Sequence, residues 1–254
     1  MSESGLLTGL LGAVQFLTRV PVRLRAAPAL AACVPWFPVV GALIGAAVGG
    51  VAVFSMEWLP ASVAATIAVI FGVALTGAFH EDGLADTMDA LGAMTPERRR
   101  EILKDSRHGS YGVAAMCSTI ILRIVCVAAL GPAVAFGGLV AAHTLGRGAS
   151  VVVMRTARPV PEPGLGADYS RAVSRSAAIV GAGAALALTA LATGWWVLPL
   201  AGAAALAAAL MTGLAVRCFE GISGDILGAV EQAAECAVLV VVSGLALHHD
   251  LWWA

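Results

Sequence analysis

Long stretches without a charged residue recur from one end of this 254-residue chain to the other, several of them long enough for a helix to cross about 30 Å of hydrocarbon. In lipid every backbone N–H and C=O must find its partner inside the protein, and a helix does so within one segment. The composition agrees: 59% of residues are hydrophobic and 12% charged, against about 25% charged in soluble domains. The chain therefore reads as all-α, a polytopic integral membrane protein forming a single helical domain over residues 1–254.

The expected spans are Cys33 to Phe54, Ala61 to Phe79, Tyr111 to Leu130, Ala133 to Met154, Ala177 to Trp195, Trp196 to Val216 and Ala233 to about His249, about seven transmembrane helices. Ahead of them Leu6, Leu7, Leu10, Leu11, Val14 and Leu17 recur at helical spacing in a run too short to span. That segment is expected to lie in the interface or to re-enter. With no basic residue before its apolar run and no small-residue cleavage pattern, it does not read as a removable signal peptide. A net charge of −1 gives no footprint for nucleic acid, and the five cysteines show no metal or disulfide spacing, so they read as packing residues.

Basic residues sort to one side. Of the 15 Lys and Arg, all except Arg123 and Arg147 fall in the segments before the first span and after the second, fourth and sixth. By the positive-inside rule that side is cytoplasmic, and Trp58, Trp195, Trp196, Trp252 and Trp253 mark the opposite interface. The long polar loops share the basic side, as a site at one membrane surface requires.

On that side "FHEDGLADTMD" concentrates acids. If the second span continues past a bend at Gly83, then Asp82, Asp86 and Asp89, at i, i+4 and i+7, share one helix face. Hard oxygen ligands without alternating His or Cys favour Mg²⁺ bridging to substrate phosphates. Glu81, about 100° away around the helix, is expected to tolerate Gln. In "LKDSRHGSYG", Lys104 and Arg107 flank Asp105 and Ser106 before Gly109, and a helix that starts at such a glycine exposes N–H groups to an anion. In "GISGDILGAVE", Gly224 and Asp225 precede Glu231, so Asp225 and Glu231 are candidates to complete a metal site or act as base. Arg123 and Arg147 lie inside spans, where a charge is costly and a functional or paired role is the default; His143 sits one turn before Arg147. Together these features suggest metal-assisted chemistry on a phosphate-bearing substrate.

The chain resembles the cobalamin synthase family, adenosylcobinamide-GDP ribazoletransferases. The resemblance lies in "FLTRVPV" (16–22), "FPVVGALIG" (37–45), "FHEDGLADTMDAL" (79–91), "LKDSRHGSYG" (103–112), the Arg of "LGRG" (145–148) and "GISGDILGAVE" (221–231), in the family's order. Glu81, Lys104 and Ser223 depart mildly from the family pattern, and no acid is lost. The resemblance implies reaction of adenosylcobinamide-GDP with α-ribazole or its 5′-phosphate, releasing GMP, with Mg²⁺. On that reading Asp82, Asp86 and Asp89 hold Mg²⁺, Asp225 adds a ligand or a base, and Lys104, Arg107 and Arg147 neutralise the pyrophosphate. The expected location is the cell (inner) membrane with the site on the cytoplasmic side. Assembly as a homo-oligomer and with other enzymes of the pathway is a further expectation. A CDP-alcohol phosphotransferase is a rival, although Asp86 stands where that family has Arg, and an Asp-rich prenyltransferase is another. A transporter is a third, but inverted repeats are not evident.

Overall fold

The computed structural model describes residues 3–24, 28–103, 105, 107–161 and 164–253. They form α1 (Glu3–Leu17), α2 (Leu30–Cys33), α3 (Phe37–Met56), α4 (Ala61–Thr76), α5 (Phe79–Leu91), α6 (Pro96–Ile102), α7 (Ser110–Ala128), α8 (Pro132–Thr156), α9 (Leu165–Ala172), α10 (Arg175–Thr193), α11 (Val197–Phe219) and α12 (Gly224–Leu245). Among the described residues the only β pairing is an isolated bridge between Pro159 and Ile222.

Among the described residues five helical segments are long and apolar enough to cross a membrane, or six if α4 and α5 together make one broken span. That count does not confirm the expected seven. One of the five, Arg175–Phe219, runs for 45 residues, but Gly194 at φ 62° interrupts it and a 3-10 turn at Gly194–Trp196 separates α10 from α11. The expected boundary at Trp195/Trp196 falls on that turn. The short apolar α1, with 15 residues, is not among the spans.

α8 is the hub, with most of its length buried between α3, α10 and α12. Gly41, Gly45 and Gly49, four apart on α3, let that backbone approach α8: a Cβ on Gly45 would stand 2.6 Å from the Leu139 carbonyl oxygen. Small residues at helical spacing give such contacts in lipid, where no hydrophobic force drives helices together.

The basic segments meet at one end of the bundle. Arg99 and Arg100 of α6 donate to the Cys218 and Phe219 carbonyls at the end of α11. The chain after α8 pairs with the α11–α12 connection through Ile222 N–H to Arg158 O and Val160 N–H to Ile222 O. At the other end Trp253 Nε1 donates to Ala192 O and the Trp195 ring meets His249 edge-on. The charge asymmetry of the sequence is thus an asymmetry of the folded bundle.

Candidate active site

The chain turns through 87° between α4 and α5, at Gly77 (φ 68°) and Ala78 (φ 57°). Their N–H groups return to the Ala74 and Val73 carbonyls, ending α4 with left-handed residues. Arg19 N–H donates to Leu75 O at the same corner. The bend is therefore at 77–78 and not at Gly83, because two consecutive residues outside right-handed geometry stop α4 before the acids begin. Gly83 does different work inside α5. A Cβ there would lie 2.7 Å from the Asp225 carbonyl oxygen, so its bare backbone lets the start of α12 close onto α5. That contact brings Asp225 alongside the acids of α5.

The three α5 aspartates separate in space. Asp82 has 61% of its side chain exposed and Asp86 14%, and both face His108, at 3.6 and 3.5 Å. One oxygen from each acid and one imidazole nitrogen all lie within 4.8 Å of one another, a spacing that suits a single cation. Asp89 is occupied otherwise: its oxygens accept from Gly109 N–H at 2.6 Å and Gly112 N–H at 2.8 Å. The anion site read into "RHGSYG" is thus filled by the chain's own carboxylate, as the free N–H groups at the start of α7 favour. Asp105 pairs with Arg107, whose guanidinium holds that exposed carboxyl down at about 2. Lys104 and Ser106 lie outside the described residues.

A cavity of about 310 Å³ opens beside these acids. His80, Asp82, Arg100, Arg147, Ser223 and Asp225 are among its polar lining residues, and Phe16, Phe37, Phe79, Tyr169, Met154 and Leu227 among its apolar ones. Behind it lies a buried network of charge. Arg123 donates to Glu81 (2.8 Å) and Glu235 (3.1 Å), and Arg147 donates to Glu231 and to Glu235 (3.1 Å). His143 Nδ1 lies 2.9 Å from Glu235, and His80 Nδ1 lies 3.5 Å from Glu231. Desolvated charges persist only when paired, and here two guanidiniums hold three carboxylates between α5, α7, α8 and α12.

This arrangement changes the roles expected for several residues. Arg123 is 4% exposed and does not line the cavity; its partners are protein carboxylates. Glu231 is fully buried against Arg147, so it stands behind the cavity wall and not at the surface where a base is needed. Glu81, expected to tolerate change, is 2% exposed and clamps Arg123. Arg147 does line the cavity, yet its Nη1 is already engaged by Glu231 and Glu235. Residues to which sequence reading gave no role are His80, His108, the aromatic wall and Glu235, noted only as lying at helical spacing from Glu231. Glu231/Glu235 and His143/Arg147 are each four apart on separate apolar spans; two such complementary pairs were the available signal for the network.

Fold and site define an integral membrane protein with a cavity lined by Asp82 and Asp225 at the basic end of its helix bundle. The chain belongs to the cobalamin-5-phosphate synthase family, whose family model matches residues 9–243. It is 37% identical to an adenosylcobinamide-GDP ribazoletransferase of Azorhizobium caulinodans over 95% of this chain and 97% of that one. The proteins of the same name from Bradyrhizobium diazoefficiens and Klebsiella pneumoniae are 38% and 32% identical, each over 91% of this chain and over 91% and 97% of their own lengths. No solved structure matches the chain.

Proposed function

We propose that this chain joins adenosylcobinamide-GDP to α-ribazole, or to its 5′-phosphate, with release of GMP, and that it does so with Mg²⁺ at the cytoplasmic face of the cell membrane. The observation that carries the reading is convergence: motifs far apart in sequence, around Phe37, Asp82, Arg147 and Asp225, line one cavity. A pyrophosphate-cleaving transfer needs a hard cation, a nucleophile's proton acceptor and a place for the acceptor substrate.

Asp82 and Asp86 supply carboxylate oxygens at a spacing that fits one cation, with His108 as a neighbour able to bind directly or through water. A Mg²⁺ held by Asp82 and Asp86 would supply positive charge against the pyrophosphate. The ribose hydroxyl attacks the corrinoid-side phosphorus, the new O–P bond replaces the P–O bond to GMP, and the hydroxyl proton goes to Asp225, held opposite Asp82 by the Gly83 contact. Asp89 orders the loop that carries Arg107 and His108. Arg147 takes a supporting role, offering the cavity the positive edge of a guanidinium already fixed by Glu231 and Glu235. Homo-oligomerisation and association with other pathway enzymes belong to the same proposal.

The test is GMP release by the purified chain given both substrates, with and without Mg²⁺; no release with both substrates and metal present rejects the reading. Orientation has its own test. Single cysteines replacing Arg98 and Arg171, whose side chains are 66% and 53% exposed, are expected to react with an impermeant maleimide only from the cytoplasm, and one replacing Asp250 only from outside. Labelling of position 98 from outside intact cells would reverse the topology.

A further inference from the structure

We infer that the cavity takes the base of the nucleoside acceptor, an alkylated benzimidazole laid against its aromatic residues with the ribose toward Asp82 and Asp225, while the corrin ring of the donor stays outside. This rests on the transferase reading above.

Size is the first ground. A volume of about 310 Å³ lies at the lower limit of pockets that enclose small organic ligands, roughly 300–1,000 Å³. It has room for a two-ring heterocycle and part of a sugar, whereas a corrin macrocycle with its side chains is several times larger. That leaves three bases as occupants, guanine and the adenine of the adenosyl ligand from the donor, and the benzimidazole from the acceptor.

Lining chemistry separates them. The apolar side is a wall of rings: Phe16 meets Phe37 at 5.6 Å, Phe79 at 5.1 Å and Tyr169 at 4.8 Å between centroids. Such rings gain most from another flat apolar ring laid against them. Guanine would set N1–H, a 2-amino group and O6 against these rings, and adenine a 6-amino group and three ring nitrogens, and burying such groups against hydrocarbon is costly. The fused benzene ring of the benzimidazole carries only hydrocarbon. Of the four rings only Tyr169 has a polar group, and burial pushes its phenol up, so it remains a hydroxyl able to donate to a single ring nitrogen.

The polar lining then sets the direction of insertion: Asp82, Ser223 and Asp225 line the same cavity as the rings. A nucleoside seated base-first leaves its ribose hydroxyls beside those carboxylates, where the proposed attack takes place.

Equilibrium dialysis of radiolabelled α-ribazole with the full-length wild-type chain in nanodiscs, without corrinoid, tests this. Free dimethylbenzimidazole is expected to displace the label, and guanosine and GMP are not. In steady-state assays Tyr169→Leu and Phe16→Leu are each expected to raise the KM for α-ribazole about tenfold, as loss of one good aromatic contact would, while the KM for adenosylcobinamide-GDP stays within about twofold. Displacement by guanosine or GMP overturns the assignment, and it needs no variant that might misfold. Normal turnover with the α-ribazole KM unmoved in both variants also overturns it. A wild-type chain that releases no GMP is a different failure, of the reaction itself, and the assignment falls with it.

Discussion

Asp82→Asn or Asp86→Asn alone is expected to slow GMP release about 10²-fold or more, the usual scale for removing one electrostatic contact to a transition state. The Mg²⁺ concentration giving half the maximal rate should rise in the same variants, because an amide keeps the shape of the carboxylate but not the charge a hard cation needs. The double variant is expected to be little worse than the worse single one, since groups that serve one metal act as a unit. Asp89 is not part of that unit. Its two oxygens bind Gly109 and Gly112, so Asp89→Asn should lower activity through disorder of the 103–109 loop while leaving the Mg²⁺ requirement where it was. Titrating Mg²⁺ against initial rate for all four proteins decides the matter. Unchanged rate and unchanged metal requirement in both Asp82→Asn and Asp86→Asn would reduce these acids to a solvated helix face.

Arg123→Ala is expected to cost about 3–5 kcal/mol of stability, the range for removing one partner of a buried ion pair. It leaves Glu81 without its guanidinium and Glu235 with Arg147 and His143 alone. Glu81→Gln should cost less, because Arg123 keeps Glu235, but more than a surface change would. Arg147→Lys preserves charge yet replaces a planar fork bound to Glu231 and Glu235 with a point charge, so both stability and turnover are expected to fall. Thermal unfolding in detergent, followed by fluorescence-detected gel filtration, reads the first effect, and GMP release by the surviving folded fraction reads the second. A full-stability Arg123→Ala would mean that the network does not hold α5, α7 and α12 together. Full activity in Arg147→Lys would show that its place on the cavity wall is incidental.

These outcomes bear on why so acid-rich a helix follows an apolar span. α5 cannot continue α4, because Ala78 and Gly77 turn it aside. It is then fixed by Glu81 on its buried face and by Gly83 against α12, which leaves Asp82 at the cavity and Asp86 facing His108. On the proposed reading one short helix carries structural and functional acids side by side, and the partner each one meets tells them apart.

Much of this was legible in the residues alone. Uncharged runs of membrane length dictate helices, because lipid offers the backbone no other partner. Arginine placement sorts the loops to one end, and the break at Trp195/Trp196 shows in the sequence. The acids of "HEDGLADTMD", Gly224 and Asp225 could be picked out because charge and glycine are conspicuous in an apolar chain. What one-dimensional spacing could not decide was the partner of each charge. Asp82, Asp86 and Asp89 fit one helix face equally well, yet Asp89 turns to the α7 N–H groups, and Glu81 finds Arg123, 42 positions away. Arg123 and Arg147 were recognisable as intramembrane charges, but whether they face substrate or carboxylate depends on which helices lie beside them. Pairing energy belongs to distance in space, and that distance exists only once α5, α7, α8 and α12 have packed.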